Sequence, residues 1–397
     1  MNTLASVIAT ATRPGRRLRI ALVTETYPPE VNGVAMTIGR LVDGLLARGH
    51  EVQLIKPRQN FGEQHQQLGK LDVASQPGFK IPFYPQVRMG LPVGRRLRRL
   101  WRKSAPDIVH VFTEGPLGAT AVSSACRLGL PLSSSFHTNF HAYSGHYGLG
   151  LLAGPIVAYL RRFHNRTACT LVPTAELARQ LESLGFCNLR ILARGVDTEL
   201  FSPSRRDPVL RQSWGVDCDD PVALYVGRLA AEKNLNLTVD AFLAMRAVNP
   251  RTRLVLVGDG PLAAALRSRL PEAVFCGMRT GVDLAAHYAS ADIFLFPSLT
   301  ETFGNVTLEA MASGLAVVAF DYAAAHGVIE HPHNGLLVPF HDAAAFIASA
   351  RQLSGDPDKI HSLGREARCA AATVAWERIY DELEMVLMEL IDSRKVG

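Results

Sequence analysis

Glu301 and Glu309 stand eight positions apart in the segment Ser298–Gly314, SLTETFGNVTLEAMASG. The apolar run Ile293–Pro297 before them reads as a strand, and Gly304–Asn305 opens a helix that carries Glu309. The amides of Phe303, Gly304, Asn305 and Val306 then fall at a helix N-terminus, where unsatisfied N–H groups and the helix dipole attract an anion. One carboxylate before such a turn and one on the helix can grip hydroxyls on either side of a bound pyrophosphate. Taken alone, the pair has a plainer reading, with Glu309 complementing the dipole and Glu301 in water.

Two further loops add to the first. In VGRLAAEKN, Arg228 follows a strand-ending Gly227, and Lys233 comes five residues later, so two cations stand where a diphosphate needs them. In GDGP, Gly258 and Gly260 allow close backbone approach after another strand. Each loop alone is ordinary surface; three strand-end loops of one sheet, all suited to phosphate or ribose, describe a ligand site.

The elements that must position these loops follow from the apolar pattern. Short β-branched runs alternate with helix-length amphipathic stretches, the signature of a parallel sheet with crossover helices. Arg19–Glu25, Glu51–Lys56, Asp107–Phe112, Leu132–Phe136 and Thr170–Pro173 read as strands, with a helix from about Val34 to Arg48. A Pro-, Ser- and charge-rich break at Gly195–Pro208 interrupts the alternation. It restarts with Val222–Gly227, Arg253–Gly258, Ala273–Cys276, Ile293–Pro297, Ala316–Phe320 and Gly335–Val338. Val374–Ile391 is a long amphipathic helix. The fold class is therefore α/β with two wound sheets, divided as 1–200, 201–373 and a final helix, 374–397. Ligands of such sheets bind beyond the carboxyl ends of the strands.

With 397 residues, 48% hydrophobic and 20% charged, the chain can build two full cores, which excludes a disordered protein. A net charge of +6 favours anionic partners, but no nucleic-acid-binding motif accompanies it. The six cysteines, Cys126, Cys169, Cys187, Cys218, Cys276 and Cys369, form no C-x-x-C and read as reduced, buried residues of a cytoplasmic protein. Met1–Thr12 carries no cation ahead of its apolar stretch, unlike a secretory leader, and no run is long enough to span a bilayer.

In this order, TETYPPEVNGVA (Thr24–Ala35), ARGVD, VGRLAAEKN, GDGP and ETFGNVTLEAMASG resemble the retaining glycosyltransferases of family 4 over nearly the whole chain. The resemblance implies a GT-B architecture, two Rossmann-like domains facing across a cleft: an acceptor-binding N-terminal domain, a nucleotide-sugar-binding C-terminal domain of the group 1 type, and a last helix returning to the first. It implies that Arg228 and Lys233 hold the donor diphosphate and that Glu309 takes the ribose hydroxyls. Glu301 is then beside the transferred hexose, with Phe303, Gly304, Asn305 and Val306 around sugar and phosphate. Gly258 and Gly260 match donor-side glycines, Gly33 matches the glycine of the N-terminal loop, and His137 matches the histidine facing the donor sugar. His141 and His146 are acceptor-side candidates with structural roles equally open. Members of the family work without a metal ion or cofactor, and Asp217, Asp219 and Asp220 near the break make no strand-end D-x-D.

The subgroup resembled contains diacylglycerol glycosyltransferases, sulfoquinovosyl transferases and lipid mannosyltransferases, so a lipid acceptor and a cytoplasmic, peripheral location on the inner membrane face are expected. Arg95–Lys103, RRLRRLWRK, carries six cations around Leu97, Leu100 and Trp101. It reads either as a patch for an anionic bilayer or as a solvated helix with its apolar stripe in the core. Gly148–Leu160 reads as a greasy acceptor wall or as a buried core helix. One departure bears on the hexose: where many relatives have Gly-Gly, this chain has DYAAAHG, Asp321–Gly327. Donor candidates are UDP-hexoses, UDP-hexuronates and GDP-mannose; a soluble sugar or glycan acceptor is the alternative. Rival classes are a nucleotide-sugar epimerase, a nucleotide-sugar-binding protein, and a nicotinamide dehydrogenase, the last lacking its G-x-G-x-x-G loop.

Overall fold

The computed structural model describes residues 16–30, 32–59, 63, 65–81, 84–137, 153–301 and 303–394. Residues 1–12, His141 and His146 fall outside them, as do residues 148–152 of the apolar segment.

The first part of the chain supplies strands β1 (Arg19–Val23), β2 (Glu51–Pro57), β3 (Gln66–Leu68), β4 (Leu71–Gln76), β5 (Gly78–Ile81) and β6 (Tyr84–Gly90). Strands β7 (Ile108–Val111), β8 (Leu132–Ser135), β9 (Cys169–Val172) and β10 (Leu189–Ile191) follow. Its helices are α1 (Gly33–Ala47), α2 (Gly94–Ser104), α3 (Pro116–Leu128), α4 (Ala153–His164) and α5 (Ala175–Ser183). Among the described residues one sheet runs β10-β9-β8-β7-β1-β2-β4-β3. Its β1–β2, β1–β7, β7–β8, β9–β10 and β2–β4 pairs are parallel, with β3 folding back antiparallel on β4. β5 and β6 form a separate hairpin ribbon. Neither ribbon nor hairpin shows a long apolar run, so the sequence pattern did not reveal them.

Strand β1 is buried from Ile20 to Val23, as a parallel strand covered on both faces must be. At its end Glu25 is buried, and its carboxylate accepts from Gly90 N (2.6 Å) and Leu117 N (3.0 Å). It thus ties β1 to the end of β6 and caps α3, whose own first turn has no acidic residue. Burial pushes this carboxyl up, against the backbone bonds that oppose the shift.

The second part adds α6 (Pro208–Ser213), β11 (Val222–Val226), α7 (Leu235–Val248), β12 (Arg253–Val257), α8 (Ala263–Arg269), β13 (Val274–Gly277) and α9 (Gly281–Ala289). Then come β14 (Ile293–Phe296), α10 (Asn305–Ala312), β15 (Ala316–Phe320), α11 (Ala323–Val328), β16 (Leu336–Val338), α12 (Ala343–Ser354), α13 (Pro357–Ala372) and α14 (Trp376–Ser393). The sheet β13-β12-β11-β14-β15-β16 is parallel throughout. Its order reverses between β11 and β14, so the loops leaving these two neighbours open the crevice where doubly wound sheets bind ligands. The strands are all but wholly apolar and sit in one continuous core with the faces of α7, α10, α12 and α13.

By compactness the chain forms two units. One holds the described residues up to Ser135, Arg166–Cys169 and the residues from Val386 onward; within it Asp392 of α14 pairs with Arg16 at 3.1 Å. The other holds the described residues of Phe136–Asn165 and of Thr170–Met385.

Two open readings narrow and one expectation changes. In α2, Leu97 and Trp101 are buried in the core while Arg95, Arg96, Arg99, Arg102 and Lys103 are exposed, so the helix has no free apolar stripe to insert into a bilayer. α4 is not a buried core helix: Leu160 and Phe163 face inward, but Pro155, Ala158 and Tyr159 are exposed. Of the cysteines only Cys169 is buried and Cys276 partly so; Cys126, Cys187, Cys218 and Cys369 are exposed to solvent.

Candidate functional site

Strand β11 ends at Val226, and Gly227 and Gly258 then bring two loops together. A Cβ on Gly258 would stand 1.9 Å from the Gly227 carbonyl oxygen, and one on Gly260 would stand 2.5 Å from that of Leu229. Both are impossible, so only glycine lets these backbones touch. Gly227 N donates to Val257 O (3.0 Å) and Leu229 N to Asp259 O (2.9 Å), closing the contact. GDGP therefore shapes the loop that carries Arg228. The close approach that the sequence suggested is an approach of backbone to backbone.

Beyond Arg228 a single 3-10 turn, Ala231–Lys233, delivers Lys233 across to the β14 loop. Its ammonium pairs with the Glu301 carboxylate and also donates to Thr300 O (3.2 Å) and Ser298 Oγ (3.4 Å). Ser298 Oγ donates to the same Glu301 oxygen at 2.9 Å, and the Tyr322 hydroxyl holds the Glu301 carbonyl at 3.0 Å. Burial pushes that phenol up to about 12, so it remains a donor. Arg228 is unlike Lys233: its side chain is 53% exposed and meets Glu232 at 3.3 Å, a pair of little stabilising value. It is available to another anion.

Gly304, at φ 95°, turns the chain into α10 and caps it without a side-chain bond, and the first turn holds no acidic residue. The N-terminal amides at Asn305 and Val306 thus meet no carboxylate from their own helix. Glu309, one turn on, receives the Tyr288 hydroxyl at 3.0 Å. Tyr288 is fully buried, and burial together with the Glu309 charge drives its ionisation well above the ordinary range.

The residue that gathers most of the site is Arg194, in the ARGVD segment after β10. It is 5% exposed. Its guanidinium donates to Asn305 Oδ1 (3.3 Å), meets His137 Nδ1 (3.3 Å) and lies 5.6 Å from the centre of the Phe303 ring. Burial lowers its pKa to about 10, partly offset by the Glu301 charge, which leaves it cationic at neutral pH. In the sequence ARGVD stood among the motifs of the resemblance, with no role attached to Arg194. An arginine three residues beyond a strand carries no signal of burial, so its central place was not legible.

His137, Phe303, Asn305, Glu301 and Lys233 are thus linked through named contacts, with Glu309 and Val306 on the same helix as Asn305. Arg228, Gly258 and Gly260 join through the β11 loop. All belong to one unit. Gly33 belongs to the other, where it is the first residue of α1. Asn32 caps that helix by accepting from Ala35 N at 2.8 Å and donating to Thr26 Oγ1 at 2.8 Å. Asp220 has a structural task, capping Asp217 N at 2.9 Å. Among the described residues no cluster of three or more histidine, cysteine, aspartate or glutamate side chains could hold a metal.

Chemically the site offers cations in two states of hydration, an uncapped helix start and two carboxylates on opposite sides of it. That set can hold a diphosphate by its oxygens and a sugar by its hydroxyls.

Comparison with known proteins agrees. Residues 31–200 match the family described as Glycosyltransferase Family 4, and residues 220–356 match Glycosyl transferases group 1. A GDP-mannose-dependent alpha-mannosyltransferase of Mycobacterium tuberculosis is 34% identical over 92% of this chain and 95% of its own length. An alpha-monoglucosyldiacylglycerol synthase of Acholeplasma laidlawii is 26% identical over 95% of this chain and 98% of its own. The solved structure of sucrose-phosphate synthase from Thermosynechococcus elongatus superposes with a TM-score of 0.78 at 19% identity, covering 95% of this chain and all of that one, which shows a shared GT-B fold.

Proposed function

The chain belongs to glycosyltransferase family 4 and is a nucleotide-sugar-dependent hexosyltransferase, and from that premise we propose that it transfers mannose from GDP-mannose to a lipid acceptor of the diacylglycerol type. The observation that carries the reading is the cluster at the β11–β14 switch point. There Lys233, Glu301 and Ser298 meet beside the uncapped start of α10, with Arg194 behind. Lys233 and Arg228 would take the diphosphate oxygens, Glu309 the ribose, and Glu301 with His137 the hexose. The cations and helix amides would stabilise the departing nucleoside diphosphate without a metal ion, because fixed charge in a partly desolvated site needs no reorganisation. Retention of configuration would follow from attack on the face from which the diphosphate leaves.

The mannosyltransferase relative supports the donor and the diacylglycerol synthase relative supports the acceptor. α2 supports a place at the membrane surface: its exposed cations would dock on anionic headgroups by charge alone, since Leu97 and Trp101 are occupied in the core. No helix of the described residues is long and apolar enough to cross a membrane.

The test is a donor panel. Purified protein is incubated with membrane lipid extract and GDP-mannose, UDP-glucose, UDP-galactose or UDP-glucuronate in turn, with and without EDTA, and the lipids are read by mass spectrometry. A new mannosyl lipid with GDP-mannose, undiminished by EDTA, is expected. Nucleotide release without a lipid product would move the acceptor to a soluble sugar or glycan, and loss of turnover in EDTA would overturn the metal-free reading.

A further inference from the structure

We infer that Arg194 fixes the tautomer of His137, so that the ring presents an N–H at Nε2 and acts toward the donor as a hydrogen-bond donor and not as a base. The inference deepens the proposed function and rests on it for the position of the donor sugar. The tautomer itself follows from the contact between the two side chains.

A guanidinium has five N–H groups and no acceptor. The Arg194 nitrogen that meets His137 Nδ1 at 3.3 Å can therefore only donate, and Nδ1 must supply the lone pair. An imidazole with Nδ1 unprotonated carries its proton on Nε2. Protonating Nδ1 as well would remove the acceptor and set two cations against each other in a site where Arg194 is almost wholly out of water. Arg194 cannot easily turn away. Its other terminal nitrogen is held by Asn305 Oδ1, and its plane lies near the buried Phe303 ring. Its charge persists well above neutral pH. One guanidinium thus sets a ring tautomer on the β8 side and the helix start on the β14 side together.

The chemical consequence is a division of labour. On the proposed placing of the donor, the Nε2–H of His137 would hold a hydroxyl oxygen of the sugar, and that nitrogen would have no lone pair to take a proton from the acceptor. His137 is then a contact residue for the donor, and Arg194 is a positioning residue that acts through it.

The experiment uses the full chain labelled with 15N-histidine at neutral pH, with His137 assigned by the signal lost in His137→Gln. Wild type is expected to show Nε2 in the protonated range and Nδ1 in the unprotonated range, and Arg194→Met to show both tautomers. A wild-type ring protonated at Nδ1, or at both nitrogens, would overturn the inference without any variant needing to fold. Turnover gives the second readout. Glutamine places an N–H near the position of Nε2 and asparagine near that of Nδ1, so His137→Gln should keep at least tenfold more kcat than His137→Asn. Equal loss in both would overturn the donor role. Full activity in both would instead remove His137 from the donor site, which is a failure of the functional reading and leaves the tautomer to be judged by the spectrum.

Discussion

Two lysine–glutamate–serine trios, one in each part of the chain, are built alike and do different things. In the first, Lys56 of β2 pairs with Glu63, and Ser75 of β4 donates to the same carboxylate oxygen at 2.9 Å. In the second, Lys233 pairs with Glu301, and Ser298 donates to the same oxygen at 2.9 Å. The surroundings separate them. Glu63 also takes the Gln59 amide on its other oxygen at 2.7 Å. Burial alone would raise the Glu63 carboxyl, yet the bonds from Lys56, Gln59 and Ser75 hold it below its ordinary value. It is a closed strut between neighbouring strands. The Lys233 trio stands at the switch point beside an uncapped helix, and its lysine has a carbonyl and a hydroxyl among its partners. A diphosphate can displace those weaker partners. The same three residue types make a brace where every atom is engaged and a seat where some can be exchanged.

The largest effect that would break this contrast is on catalysis. Lys233→Ala should lower kcat/KM by about 10²–10³-fold, the scale of one lost charge-stabilising donor, measured on protein whose folding is verified by circular dichroism. Near-wild-type turnover would make the second trio a strut as well. Charge on α2 comes next. Replacing Arg95, Arg99 and Lys103 by Gln should weaken binding to phosphatidylglycerol vesicles about a hundredfold, from roughly 1 kcal/mol per cation. Trp101 fluorescence should not respond to vesicles, because that ring stays in the core; a blue shift on binding would show insertion. Lys56→Ala should act on stability alone, costing on the order of 2 kcal/mol in chemical denaturation, somewhat under the ~3–5 kcal/mol of a fully buried pair. A matching fall in kcat would mean that the first trio touches substrate. The smallest effect tests the shell behind the seat. Tyr288→Phe should raise the KM for donor roughly fivefold at constant kcat, the worth of one hydrogen bond of ~1 kcal/mol. The same rise with a donor lacking the ribose hydroxyls would detach Tyr288 and Glu309 from ribose binding.

The contrast also marks what could be read in the sequence. Apolar parallel strands announce themselves as runs, and strands β11 to β16 lie within a residue or two of their expected places. The turn to α10 was legible because Gly304 and Asn305 are turn residues with a specific backbone role. The first trio was not, because Glu63 and Ser75 are brought to Lys56 by β4 packing beside β2, a pairing that no local spacing encodes. The backbone contact made by GDGP was hidden for the same reason: a Cβ at Gly258 would meet the carbonyl of Gly227, which no local spacing brings near. The basic run of α2 was legible as a helix, but which way its leucine and tryptophan face was left open. A helix with six cations resolves that choice only when α3 packs against it.

One buried contact in the first sheet has a consequence for assembly. His110 on β7 is fully enclosed, with its two ring nitrogens on Ser133 and Ser135 of β8, each at 2.8 Å. Those serines are two apart and share a face, and His110 lies opposite the first of them. Shifting β8 by one residue would bring only Ser134 to that face, and shifting it by two would keep only one of the pair, so either slip leaves a ring nitrogen without its serine. The trio is a key cut for a single alignment, and it gives β7 and β8 a way to tell the right neighbour position from the next.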